Sequence, residues 1–148
     1  GIYLAEKVVQ ADFDISGGVT KRMAKKLGQP YIMPGQHNGY DEPYIYTDTK
    51  LREWVKEYAP EVQEVAVASG NKFVFGKDKA EILEKFDADI VDMEAAGVLL
   101  TANEEKIPTL ILKCISDGVD AEAAEYYENA SGVSEACSAF VIDLIEKM

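Results

Sequence analysis

The chain has 148 residues, 47% of them hydrophobic, with 27 acidic residues against 15 basic ones and a net charge of −12. That length and apolar content fit one folded domain over residues 1–148 with a sizeable core, and exclude a disordered chain. The acidic balance, without any large Lys/Arg cluster, excludes nucleic acid and anionic membrane surfaces as partners.

In chain order, Ile2–Phe13, with Tyr3, Val8, Val9 and Phe13, leans to a strand. From Gly17 to Tyr46 the turn-formers recur, among them Gly17-Gly18, Pro34-Gly35 and Asn38-Gly39. The stretch reads as a long loop with helix character over Val19–Leu27, and a loop of that length serves a function or an interface. Tyr40, Tyr44 and Tyr46 in it read as surface or interface aromatics. Thr47–Pro60 predicts a helix with Leu51, Val55 and Tyr58 on one face and Pro60 as its stop.

Val62–Gly70 predicts a buried strand through Val62, Val65 and Val67. Asp78–Phe86 predicts a helix opened by Asp78 and Glu81 at capping-box spacing, burying Ile82 or Leu83 together with Phe86. Ala88–Asp92 reads as a short strand and Glu94–Lys106 as a helix. Pro108–Ser116 is nearly continuous in apolar residues, the pattern of a strand covered on both faces. The last helix carries Val133, Cys137, Phe140 or Val141, Leu144 and Met148 at helical spacing.

Cys114 and Cys137 form no CxxC pair, and His37 is near neither in sequence, so no metal site and no cofactor are expected. Both cysteines read as buried, reduced thiols of a cytoplasmic protein, and His37 as an exposed residue without a role. No apolar run is long enough to span a bilayer, and no signal peptide is expected.

The alternation of strands and helices predicts an α/β fold of three-layer type, a central mixed, partly parallel sheet flanked by helices. Ligands of such sheets bind beyond the carboxyl ends of the strands. Three ends qualify: Ser69–Val74 (SGNKFV), Val91–Gly97 (VDMEAAG) and Cys114–Asp120 (CISDGVD). They would gather Asp92, Glu94, Asp117, Asp120 and the Phe73 ring at one edge. Taken singly, Glu94 reads as a helix-start residue, Ser116-Asp117-Gly118 as a turn and Phe73 as core. What favours a site is that all three segments occur in order, each ending an apolar run.

Together these segments resemble the signature segments of the 5′-methylthioadenosine/S-adenosylhomocysteine nucleosidases, within the nucleoside phosphorylase superfamily. Ala5–Ser16 is similar to the segment before that family's dimer-contact loop, and the resemblance covers most of the chain. It implies hydrolysis of the N-glycosidic bond of an adenine nucleoside in a homodimer. On the same resemblance Asp117 is the general acid at N7 of the leaving adenine and Ser116 orients it. Phe73 stacks on the base, the Val74 backbone meets its edge, Met93 lies under the ribose, and Glu94 accepts from the ribose hydroxyls. The chemistry asks for such groups: a purine leaves poorly without a positioned acid, and the ribosyl cation is stabilised by a nearby carboxylate. Asp92 is expected to be structural.

The chain departs from the family at Asn71, which replaces an Asp, at Lys72, which replaces a small residue, at Lys113, which replaces an Arg, and at Ala11, where relatives carry His. Lys is not equivalent to Arg at a bidentate or phosphate site. The family's Gly-rich first strand and its water-activating Glu have no counterpart upstream of Ile2. The 148 residues are therefore expected to be the larger, C-terminal part of a nucleosidase, with a sheet edge left unpaired. Two other readings stay open, a nucleoside- or adenine-binding protein without turnover and a purine nucleoside phosphorylase.

Overall fold

Strand formation begins with the apolar pairs of the first segment. In the computed structural model, which describes residues 1–116, 118 and 123–148, Ile2–Gln10 forms strand β1. The order continues as α1 (Lys21–Leu27), β2 (Tyr44–Tyr46), α2 (Thr49–Tyr58), β3 (Gln63–Ser69), α3 (Gly76–Lys85), β4 (Ile90–Asp92), α4 (Ala95–Glu104), β5 (Leu112–Cys114) and α5 (Ala123–Lys147). β1 and β3 run parallel from Tyr3 opposite Gln63 to Gln10 opposite Ser69. β4 adds in parallel to the end of β3, pairing Ser69 with Asp92. β5 and β2 pair antiparallel with the first and second halves of β1. The result is a mixed five-stranded sheet flanked by helices, as the alternation predicts.

A register irregularity between Ala5 and Lys7 sets which face each apolar residue meets. Side chains three apart on a regular strand point to opposite faces, and an extra residue restores them to one face. Ala5 and Val8 thus share one core cluster with Val65, Val67, Ile90 and Leu99, beneath α4. Leu4 joins Val55, Ala59, Val62 and Leu144 on the other side, between α2 and α5. Thr47 holds the bulge, its hydroxyl donating to the Ala5 carbonyl at 2.6 Å and its N–H to Glu6 O at 3.0 Å. Leu4 and Leu99 are fully buried, and each such side chain contributes about 2–3 kcal/mol through lost apolar surface.

Five local expectations change. Tyr44–Tyr46, assigned to the loop, is strand β2, anchored by the buried Ile45; the Pro43 and Gly-rich surroundings hide three strand residues. On α2 the inward residues are Arg52 and Val55, whereas Tyr58 is exposed and donates to Asp143. Arg52 can enter because Glu64 on β3 meets its guanidinium at 2.9 Å. Helix α3 starts at Gly76, so Asp78 lies inside its first turn and no capping box forms; Phe86 is buried, Ile82 and Leu83 half-buried. β5 is only half-buried. His37 is not a free surface residue: its ring stacks on Phe13 with centroids 4.0 Å apart, and burial lowers its pKa.

Candidate functional site

β3 ends in a polar cluster. Ser69 is 2% exposed, and its hydroxyl accepts from the Ala96 N–H at 3.1 Å, tying the strand end to the start of α4. One residue beyond Gly70, Asn71 donates from its backbone and its amide to the same Asp12 oxygen, both at 2.7 Å. Burial acts to raise the Asp12 carboxyl, and the Asn71 donors outweigh it and hold it below the ordinary aspartate value. An Asp in place of Asn71 would set two carboxylates against each other here, which gives a physical reason for that departure.

β4 delivers the next segment. Asp92 turns inward: its Oδ2 accepts from the Ala95 N–H at 3.1 Å, capping α4, and from the Lys113 ammonium at 2.8 Å. Its side chain is 5% exposed and that of Lys113 22%, so the pair links the ends of two strands that do not themselves pair. Asp92 Oδ1 is buried without a hydrogen-bond partner among the described residues. The expectation that Asp92 is structural matches this capping. Glu94, at the N-cap position, makes no side-chain capping bond. It and Met93 remain exposed, with Met93 N–H donating to a Glu94 oxygen at 3.3 Å.

A cavity of about 540 Å³ opens along β4, within the range of small-ligand sites. Phe73, Val74, Met93, Glu94, Lys113 and Ser116 all line it. Every described residue that the sequence marks for the site therefore meets in one space. Phe73 presents 40% of its surface and Met93 45%, large exposed apolar areas facing a polar rim. Asp117 and Asp120 lie outside the described residues; the flanking Ser116 and Gly118 both line the cavity. Cys114 also lines it, and burial together with a hydrogen bond that its thiol donates to Cys137 pushes it up to about 12, so it stays protonated. Both cysteines are free and half-buried rather than fully buried. No three His, Cys, Asp or Glu residues among those described are placed to hold a metal.

Two features escape the sequence reading: Lys79, which is 6% exposed and lines the cavity, and the pairing of Asp92 with Lys113, which line it too. The signal for Lys79 lay in periodicity, since 79, 82 and 86 fall on one helical face with Ile82 and Phe86.

Residues 2–146 match the family described as the phosphorylase superfamily, and the chain belongs to it. Among curated relatives, an aminodeoxyfutalosine nucleosidase of Campylobacter jejuni is 31% identical over 97% of this chain and 60% of its own length. A 5′-methylthioadenosine/S-adenosylhomocysteine nucleosidase of Listeria monocytogenes is 25% identical over 98% of this chain and 61% of its own. The crystal structure of the Helicobacter pylori 5′-methylthioadenosine/S-adenosylhomocysteine nucleosidase with butyl-thio-DADMe-Immucillin-A superimposes with a TM-score of 0.81. It is 25% identical, covering 99% of this chain and 60% of that one. The corresponding Campylobacter jejuni enzyme gives 0.78 at 30% identity, covering 99% of this chain and 61% of that one. The chain thus spans about 60% of the length of the relatives it matches. No helix among the described residues is long and apolar enough to cross a membrane.

Proposed function

We propose that the protein hydrolyses the N-glycosidic bond of adenine nucleosides of the methylthioadenosine/adenosylhomocysteine type and releases adenine. The observation that carries this reading is the single cavity shared by Phe73, Val74, Met93, Glu94 and Ser116, at the strand ends of a phosphorylase-superfamily chain. Phe73 offers a ring face for the purine and the Val74 backbone its edge contacts. Met93 underlies the ribose, and the exposed Glu94 carboxylate accepts from its hydroxyls. Asp117, oriented by Ser116, donates a proton to N7 as the C1′–N9 bond breaks and its electron pair passes to the base. The ribosyl group becomes oxocarbenium-like, stabilised by Glu94, and water adds at C1′ and loses a proton.

Water is favoured over phosphate as the nucleophile because Asp92 already neutralises the Lys113 ammonium at 2.8 Å. The remaining parts of the proposal are one domain over residues 1–148, a homodimer in which the 17–46 loop takes part, and a reducing cytoplasmic setting in which the two thiols stay free. The test is adenine release from methylthioadenosine, adenosylhomocysteine and adenosine, with and without phosphate. Release that ignores phosphate is expected. Strict phosphate dependence would make the protein a phosphorylase, and tight adenine binding without turnover a binding protein.

A further inference from the structure

Helix α3 begins just after the segment that carries Phe73 and Val74, and its inward face holds a cation where an apolar residue would pack. Lys79 is 6% exposed, and its ammonium donates to the Gly118 carbonyl at 3.0 Å. Burying an ammonium is costly, and an apolar residue of similar volume serves a purely structural position at least as well. The charge is thus better explained by what it holds. Gly118 and Ser116 bracket Asp117 in sequence, and both line the cavity with Lys79. The other cations of the cavity are differently engaged: Lys113 is held by Asp92, and the exposed Lys72 lines the rim 4.0 Å from Asp78.

We infer that Lys79 is a positioning residue, which fixes the backbone beside Asp117 through the Gly118 carbonyl and so ties the acid-bearing segment to the helix that follows the base-contacting residues. This rests on the proposed nucleosidase reading and adds to it a residue that acts through the main chain of the acid-bearing segment. A small misplacement of an acid affects the chemical step far more than the binding of substrate. Lys79 therefore acts on kcat and leaves KM nearly alone.

The experiment compares the parent protein with Lys79→Met, Lys79→Arg and Asp117→Asn, measuring kcat and KM for methylthioadenosine together with the thermal midpoint. Met has nearly the volume of Lys without its charge, so Lys79→Met is expected to stay folded with a midpoint close to the parent's. Its kcat is expected to fall about 10- to 100-fold with KM within about threefold. Lys79→Arg, which keeps a donor within reach of the carbonyl, is expected to recover part of the loss. Parent-like kcat in Lys79→Met, with Asp117→Asn inactive, overturns the positioning role alone. So does a loss that follows the thermal midpoint and is not relieved by Arg, since that marks a structural lysine. No turnover in the parent, or normal turnover in Asp117→Asn, overturns the nucleosidase reading or its acid, and the positioning role with it.

Discussion

β1 and β3 together make the middle of the sheet, whereas β4 and β5 are three residues each and lie at its margins. The long strands bury Leu4, Val8, Val9 and Val67 completely and meet the cavity through Tyr3, Gln63 and Val65, none of them assigned a chemical role. The short ones end where Asp92, Met93, Glu94, Lys113 and Ser116 surround it. Stability and chemistry are thus separated along the fold. A strand that stops after three residues releases its chain to turn charged groups toward a ligand, while a long strand commits its side chains to packing.

The comparison breaks most readily at the margins. Asp117→Asn is expected to reduce adenine release about a thousandfold while nucleoside binding persists. Comparable loss of both in a steady-state and binding assay would mean the residue holds the fold instead. Leu4→Ala tests the opposite half: it removes a fully buried side chain and is expected to cost about 3 kcal/mol in urea unfolding. Adenine affinity of the folded fraction should be unchanged, and a parallel fall in affinity would dissolve the separation.

Glu94→Gln is expected to weaken ribose-containing ligands about tenfold and free adenine hardly at all, by titration calorimetry. Equal losses would remove the ribose role. The smallest effect is expected at Asn71→Asp, about 1 kcal/mol near neutral pH, where the amide hydrogen bond to Asp12 gives way to carboxylate repulsion and the backbone one remains. In the parent, Asp12 has a folded pKa below the ordinary 3.8. Its stabilising contribution is therefore present above that ordinary value and is lost as pH falls through the lowered one. The variant should instead approach the parent on acidification toward about pH 4, where one carboxyl takes up a proton. A gap that stays constant with pH would show that charge is not its cause.

Long elements were legible from periodicity. β1, β3 and α2 follow from Val8-Val9, the Val65/Val67 alternation and the helical spacing over Thr47–Pro60 with its Pro60 stop. β2 was not, because three strand residues beside Pro43 give no period and depend on pairing with β1. The inward turn of Arg52 and Lys79 was also hidden, since charged side chains enter a core only when partners from distant segments, Glu64 and the Gly118 carbonyl, meet them. At the site, the segment pattern and the family resemblance set Phe73, Met93 and Glu94 together and separated Glu94 from Asp92, but did not show what holds Asp92. Asp92 caps α4 and holds Lys113, which leaves Glu94 open to a ligand. The Lys113 partner of Asp92 comes from a distant segment and is visible only in three dimensions.

The most direct measurement is a crystal structure of the protein with adenine bound. The purine is expected against the Phe73 ring with the Val74 main chain at its edge, leaving space for a ribose beside Met93 and Glu94. Adenine bound away from Phe73 and Val74 would contradict the assignment of this cavity as the nucleoside site.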